Sequence, residues 1–304
     1  VIGTAKPHAL LRPGIAIPFL LVAVIWGSTW LVIKDQLAAA PPSWSVTYRF
    51  GIACVGMFIL AAVTHKRGFT MTLGGHVVAV AIGLTQFFLN FNFVYRAELY
   101  LTSGIVAVLF GLLMVPNAIF GRIFLGVAIT PRFIAGSLVG LAGIGLLLLH
   151  EGRAAPTSAQ VALGVTLAAL GILSASASNV LQASKTARGR PLMLLLAWAM
   201  LWGTLADAVF AWFVAGPPVF PADLRYWAGV SYLAIVGSVV AFPLYFGLIR
   251  ELGPGRAAYN GVVVPVVAMA LSTVFEDYRW SALAAAGGVL ALLGMVLALR
   301  AKNA

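Results

Sequence analysis

The sequence predicts an all-α integral membrane protein: ten transmembrane helices in two inverted five-helix repeats, with both termini in the cytoplasm. Three observations carry that reading. Of 304 residues, 62% are apolar and only 9% charged, where ordinary soluble domains carry roughly 25% charge. Apolar runs long enough to cross a hydrocarbon core about 30 Å thick recur along the whole chain. Helices 4 and 5 can also be laid over helices 9 and 10 at a constant offset of 149 residues that puts Pro116 on Pro265 and Gly145 on Gly294.

Eight runs contain no charge at all: 13–33, 68–95, 99–121, 133–150, 154–184, 226–249, 257–275 and 280–299. Two more, around 44–63 and 191–215, carry one charge each, Arg49 and Asp207. The first run is too long for a signal peptide and reads as a retained helix. Orientation follows from the excess of Lys and Arg in cytoplasmic loops. With the N-terminus inside, thirteen of the nineteen fall on inner segments and five (Lys34, Arg96, Arg153, Arg225, Arg279) on outer ones. Six acidic residues (Asp35, Glu98, Glu151, Asp223, Glu276, Asp277) fall outside, and Glu251 inside. The net charge of +11 is thus a topology signal, and no basic stripe interleaved with aromatics suggests a nucleic-acid partner.

The helices differ in what they carry. In helix 1, WGSTW (26–30) puts Trp26 near mid-depth, although membrane Trp normally sits at helix ends. Trp26 and Trp30 share a face, and Gly27 and Ser28 present a small surface to a neighbour. Helix 2 carries Arg49, read as an interfacial anchor within snorkelling reach of the outer surface. Its Cys54, the lone cysteine, reads as a small core hydrophobe. Helix 3 holds Gln86 and Asn90 on one face, and amides in hydrocarbon require protein or water. Pro116 in helix 4 and Pro265 in helix 9 each remove a backbone hydrogen bond and read as paired hinges. Helices 5 and 10, GSLVGLAGIG (136–145) and AAAGGVLALLG (284–294), read as packing helices, with a possible homodimer surface.

Helix 6 carries SASASN (174–179), with Ser178 and Asn179 on its inner half. Helix 7 holds Asp207, the one carboxylate within a span, placed off the pathway. Helix 8 offers Ser238 at mid-depth and Tyr245 further in, and helix 9 begins with Tyr259 and Asn260. The polar and aromatic residues of the first half lie from mid-depth outward, and those of the second from mid-depth inward. Two inverted halves, 1–150 and 151–304, would give this pattern if each supplied one vestibule of a single pathway. Substrate then sits at the midplane between halves, as in many secondary transporters. The expected binding residues are Trp26, Trp30, Gln86, Asn90, Ser178, Ser238, Tyr245, Tyr259 and Asn260.

Enzyme chemistry finds little support. His8, His65, His76 and His150 are dispersed and make no metal cluster. There is no phosphate loop, serine elbow or pair of carboxylates. No catalytic residue, metal or cofactor is expected, and the partners are the lipid bilayer and a small-molecule substrate.

With WGSTWLVIK (26–34), YRF (48–50), FED (275–277) and the two prolines in view, the chain resembles the drug/metabolite transporter superfamily, specifically its EamA-type exporters. The resemblance implies export of small metabolites, often amino acids, across the bacterial inner membrane by alternating access. It implies a cavity lined by helices 1, 3, 4, 6, 8 and 9, and it is similar to the aromatic and general amino-acid exporters. Glu276 matches the family's helix-end glutamate, whereas Val127 stands at the corresponding place in the first half. The alternatives are a lipid-linked sugar flippase or nucleotide-sugar carrier of the same superfamily, or a membrane assembly subunit without a cavity.

Overall fold

A computed structural model describes residues 13–64, 68–154, 158–252, 257 and 260–299. Among them every regular element is helical: α1 (Pro13–Gln36), α2 (Pro42–Thr64), α3 (Leu73–Ala97), α4 (Ser103–Leu125), α5 (Pro131–Ala154), α6 (Ser158–Ala183), α7 (Leu192–Ala215), α8 (Leu224–Glu251), α9 (Asn260–Phe275) and α10 (Ala282–Leu299). One further turn, Lys185–Arg188, links α6 to α7. Among the described residues, seven helices (α1–α4 and α6–α8) are long and apolar enough to cross a membrane. The apolar stretches of α5, α9 and α10 are shorter: Pro131–Leu147, Val263–Phe275 and Ala282–Gly294.

Local chemistry sets the boundaries. Pro13, Pro42 and Pro131 open α1, α2 and α5, at the position where a missing N–H costs nothing. Gly126 ends α4 in the left-handed conformation at φ 72°, which a side chain would resist. The chain termini and the inner basic residues Lys6, Arg12, Lys66, Arg67, Arg256, Arg300 and Lys302 lie outside the described residues.

Many of the helix contacts recur when each helix is exchanged for the one five places along. α1 lies on α8 and α9, as α6 lies on α3 and α4; α3 lies on α7, as α8 lies on α2; α2–α7, α4–α9 and α5–α10 are pairs of counterparts. Two irregularities fall at matching places. The helix widens to a π-helix at Gly83–Asn90 in α3 and again at Ile235–Val240 in α8.

The two prolines differ in effect. α4 is interrupted at Leu112–Leu113, where backbone bonds tighten to three-residue spacing. That is one turn before Pro116, whose ring opposes the carbonyl four residues back. Pro265 lies inside an unbroken α9.

Small residues let backbones touch. A Cβ added at Gly83 of α3 would lie 2.5 Å from the Ala199 carbonyl of α7, and one at Gly203 of α7 would lie 2.9 Å from the Gly83 carbonyl. Between α5 and α10 the approach is closer still: Gly143 abuts the backbone of Ala291, and Gly294 that of Gly140. The small faces expected to serve a homodimer are therefore occupied within one chain. Ile134, Leu138, Leu141, Leu149, Val289, Leu293 and Leu297 are the large apolar residues that these two helices expose among those described.

A methyl at Gly294 meets backbone, which cannot move aside, whereas one at Gly145 meets nothing within 4 Å. Gly294→Val is expected to cost about 1–3 kcal/mol by overpacking, and Gly145→Ala to stay within about 0.5 kcal/mol. Thermal unfolding of the two purified variants in detergent checks the contrast.

Candidate functional site

The WGSTW segment is where α1 touches three helices at once. Gly27 admits Val267 and the Val264 carbonyl of α9, where an added Cβ would stand 2.5 and 3.3 Å away. Ser28 shares a 2.6 Å hydrogen bond with the Tyr232 hydroxyl of α8 and bonds the Ile25 carbonyl. Trp26 Nε1 donates to the Gly237 carbonyl of α8 at 3.2 Å, and its ring lies 4.7 Å from Tyr245 and 5.4 Å from Phe242. Trp30 packs on Phe110 of α4 at 5.1 Å. The two indoles are thus walls, and the small residues between them are the seams.

Those walls enclose a cavity with about 120 Å³ of space for the centres of water-sized molecules, roughly ten times the ~10–15 Å³ that one water needs. Its aromatic lining is Trp26, Trp30, Phe91, Phe110, Phe242, Tyr245 and Phe246. Its polar lining is Thr29, Arg49, Gln86, Asn90, Asn117, Asn179 and Asn260. α1, α3, α4, α6, α8 and α9 all contribute, and α2 adds Arg49. Several polar atoms are buried without a partner among the described residues: Trp30 Nε1, Arg49 Nη1, Asn90 Oδ1 and Asn260 Oδ1.

Of the residues expected to bind, Trp26, Trp30, Gln86, Asn90, Tyr245 and Asn260 line this one cavity, as does Pro265. Ser238 stands behind the wall, donating to the Leu233 carbonyl at 2.8 Å and accepting from Arg49 Nε at 3.3 Å. Ser178 is fully buried elsewhere, and its neighbour Asn179 takes the lining position, 3.4 Å from Asn117 Oδ1. One residue along a helix is about 100° of rotation, so alternating Ser and Ala in SASASN gave no means of choosing. Pro116 is not on the wall, and Tyr259 lies outside the described residues.

Arg49 requires a correction. It does not snorkel: it is 1% exposed, stacked over Phe91 at 4.4 Å and turned to the cavity. The cost of an intramembrane charge was the signal that pointed to function; depth along the helix alone suggested an anchor. Asp207 is buried off the cavity, as expected, where its Oδ1 accepts from Asn92 at 2.6 Å and Arg96 bonds Asn92 in turn.

One end of the bundle is tightly tied. Lys34 of α1 donates to the carbonyls of Glu98 and Leu101. Ser103, opening α4, donates its N–H and hydroxyl to Glu276 at the end of α9. Tyr95 donates to Gln36 Oε1 at 3.0 Å. Toward the other end, Asn260 donates to the Phe19 carbonyl at 2.8 Å and Arg250 to the Ala187 and Arg190 carbonyls at 3.1 Å.

A bundle of apolar helices around a polar and aromatic cavity fits a membrane transporter. The chain belongs to the EamA-like transporter family, which it matches over residues 14–149 and 162–300. It is 24% identical to Protein PagO of Salmonella typhimurium over 96% of this chain and 95% of that one. It is 27% identical to a probable amino-acid metabolite efflux pump of Escherichia coli over 91% and 92%, and 28% identical to the inner membrane transporter YedA of Escherichia coli over 82% and 79%. A solved crystal structure shares the fold with a TM-score of 0.70 at 20% identity, covering 93% of this chain and 95% of its own. The chain is a multi-pass protein of the bacterial inner membrane.

Burial pushes the Glu98 carboxyl well above the usual carboxylate range; Lys34 pulls it back, Glu276 pushes it up again and Arg49 lowers it. A group that holds its proton more tightly folded than unfolded favours the fold at low pH, and that stability is lost as pH climbs from the unfolded value of about 4.3. The wild type is expected to melt at progressively lower temperature from about pH 5 upward, and Glu98→Gln to flatten that slope. Equal slopes would show that another group carries the proton.

Proposed function

We propose that the protein is a secondary exporter of small metabolites, amino acids foremost, working by alternating access between two inverted five-helix repeats of a ten-span bundle with cytoplasmic termini. The cavity carries the reading. Trp30 Nε1, Arg49 Nη1, Asn90 Oδ1 and Asn260 Oδ1 meet on its lining without partners, where water or a solute can satisfy them and remove the cost of leaving each unpaired. Support for the repeat comes from the exchange symmetry of helix pairs, the matching π-helical segments and the two stretches that match the family.

An amino acid suits this lining. Asn90 Oδ1 is an open acceptor for an ammonium group, and Trp26, Phe91 and Phe242 offer a surface for an apolar side chain. The probable amino-acid metabolite efflux pump among the relatives agrees with that chemistry. In the cycle we propose, the Lys34, Glu98, Ser103 and Glu276 cluster is the outer gate, and the break before Pro116 together with Pro265 lets α4 and α9 move. A lipid-linked or nucleotide sugar diphosphate would meet one cation on the wall, too little charge for its phosphates. An assembly subunit would leave the cavity without a role. A homodimer would use the leucine faces of α5 and α10.

Counterflow of labelled amino acids into proteoliposomes tests the proposal. Gln86→Ala and Trp26→Ala are each expected to lower the initial rate about tenfold or more, the cost of losing one polar contact or one aromatic wall. Rates equal to the parent's, or no exchange by the parent across the whole panel, would remove the assignment.

A further inference from the structure

The cavity wall bears one charge, Arg49, and no carboxylate. Its surroundings orient the guanidinium without neutralising it. Nε donates to Ser238 Oγ at 3.3 Å, and Phe91 and Phe50 flank the group at 4.4 and 5.1 Å. Gly237 leaves it room, since a Cβ there would come within 3.5 Å of Nη2. The neutral Tyr95 hydroxyl lies beside the guanidinium; Nη1 itself is buried with no hydrogen-bond partner, and among the described residues no carboxylate lies within ion-pairing distance of it. Glu98 is within electrostatic range only.

A cation sealed in a span without an anion is among the costliest arrangements a membrane protein holds. The guanidinium presents a planar fork that matches a carboxylate in two parallel bonds. We infer that Arg49 is the receptor for a carboxylate on the transported molecule, so the substrates are monocarboxylates with an apolar body, amino acids and their des-amino analogues alike, and amines are refused. This rests on the exporter reading above and narrows its substrate class. One cation balances one negative charge, and the aromatic wall takes the remainder of the molecule.

Equilibrium dialysis of the purified, detergent-solubilised protein against three probes of one shape tests the inference: L-phenylalanine, 3-phenylpropionate and 2-phenylethylamine. The wild type is expected to bind both acids at least ~10-fold more tightly than the amine, the minimum for one charge-assisted contact, and Arg49→Gln to abolish that preference. Arg49→Lys keeps the buried cation that the fold already accommodates. It is expected to keep the preference while binding the acids ~3-fold or more weakly, because an ammonium lacks the fork. The inference is overturned if the amine binds the wild type as tightly as the acids, if neither acid binds, if Arg49→Gln retains the preference, or if Arg49→Lys binds the acids as well as the wild type does. Phenylalanine counterflow in proteoliposomes separates the two proposals. Exchange without an Arg49-dependent preference leaves the exporter standing and removes the receptor. An Arg49-dependent preference without exchange of any amino acid does the reverse.

Discussion

Hydrocarbon offers a polar group no partner, so each must find one inside the protein or face trapped water. That constraint sorts the side chains of this bundle into three sets. Some are tied in pairs between helices, as Asp207 is to Asn92, Ser45 to Tyr226 and Tyr95 to Gln36. Some close one end of the bundle, as Lys34, Ser103 and Glu276 do. A third set lines the cavity, where Trp30, Arg49, Asn90 and Asn260 keep unpaired atoms. Helix packing serves the same end: glycine contacts bring α3 against α7 and α5 against α10, leaving the bulky aromatic residues for the cavity wall.

The spans were legible because hydropathy is a one-dimensional property of the chain. Apolar runs, eight charge-free and two with a single charge, anticipated every long helix. α5, α9 and α10 were the weaker cases, since their fully apolar stretches are short. The cavity lining was legible where amides stood out in an otherwise apolar span, as Gln86, Asn90 and Asn260 do. It was not legible at Ser178, where the helix rotation that selects Asn179 depends on packing partners far away in sequence. Arg49 was misjudged for a related reason. Counting turns gives depth, but whether a side chain at that depth meets lipid, water or aromatic rings is decided by α3 and α8.

The two π-helical segments explain how amides come to line the wall. Widening a helix shifts the residues after it around the axis and loosens the carbonyls within it, which is why such segments gather at functional sites. In α3 the widened stretch Gly83–Asn90 carries both Gln86 and Asn90. In α8 the widened stretch Ile235–Val240 carries Ser238, and its Gly237 carbonyl accepts the Trp26 indole. Ser238 occupies the gap with a bond five residues back, to Leu233, while receiving Arg49. The feature that distorts α8 is therefore the same one that holds the cation in place. No sequence pattern announces it, since Ile, Val, Gly and Ser suit either kind of helix.

Placing Arg49 on α2 has a further consequence for the proposed cycle. The six helices expected around the pathway would, by themselves, enclose only neutral polar groups. α2 packs mainly on α7, and reaches the cavity through this one long side chain. A ligand that pairs with Arg49 thus bonds to a helix pair outside the ring of α1, α3, α4, α6, α8 and α9, while its remaining contacts are to the ring itself. Binding energy gained in this way joins the α2–α7 pair to α8 through Ser238 and to α3 through Phe91. A ligand lacking the charge contacts the ring alone and leaves that coupling unmade. Only differential contacts between states shift a conformational equilibrium, so in the proposed exporter Arg49 favours carboxylates in binding and also links their binding to the movement that follows.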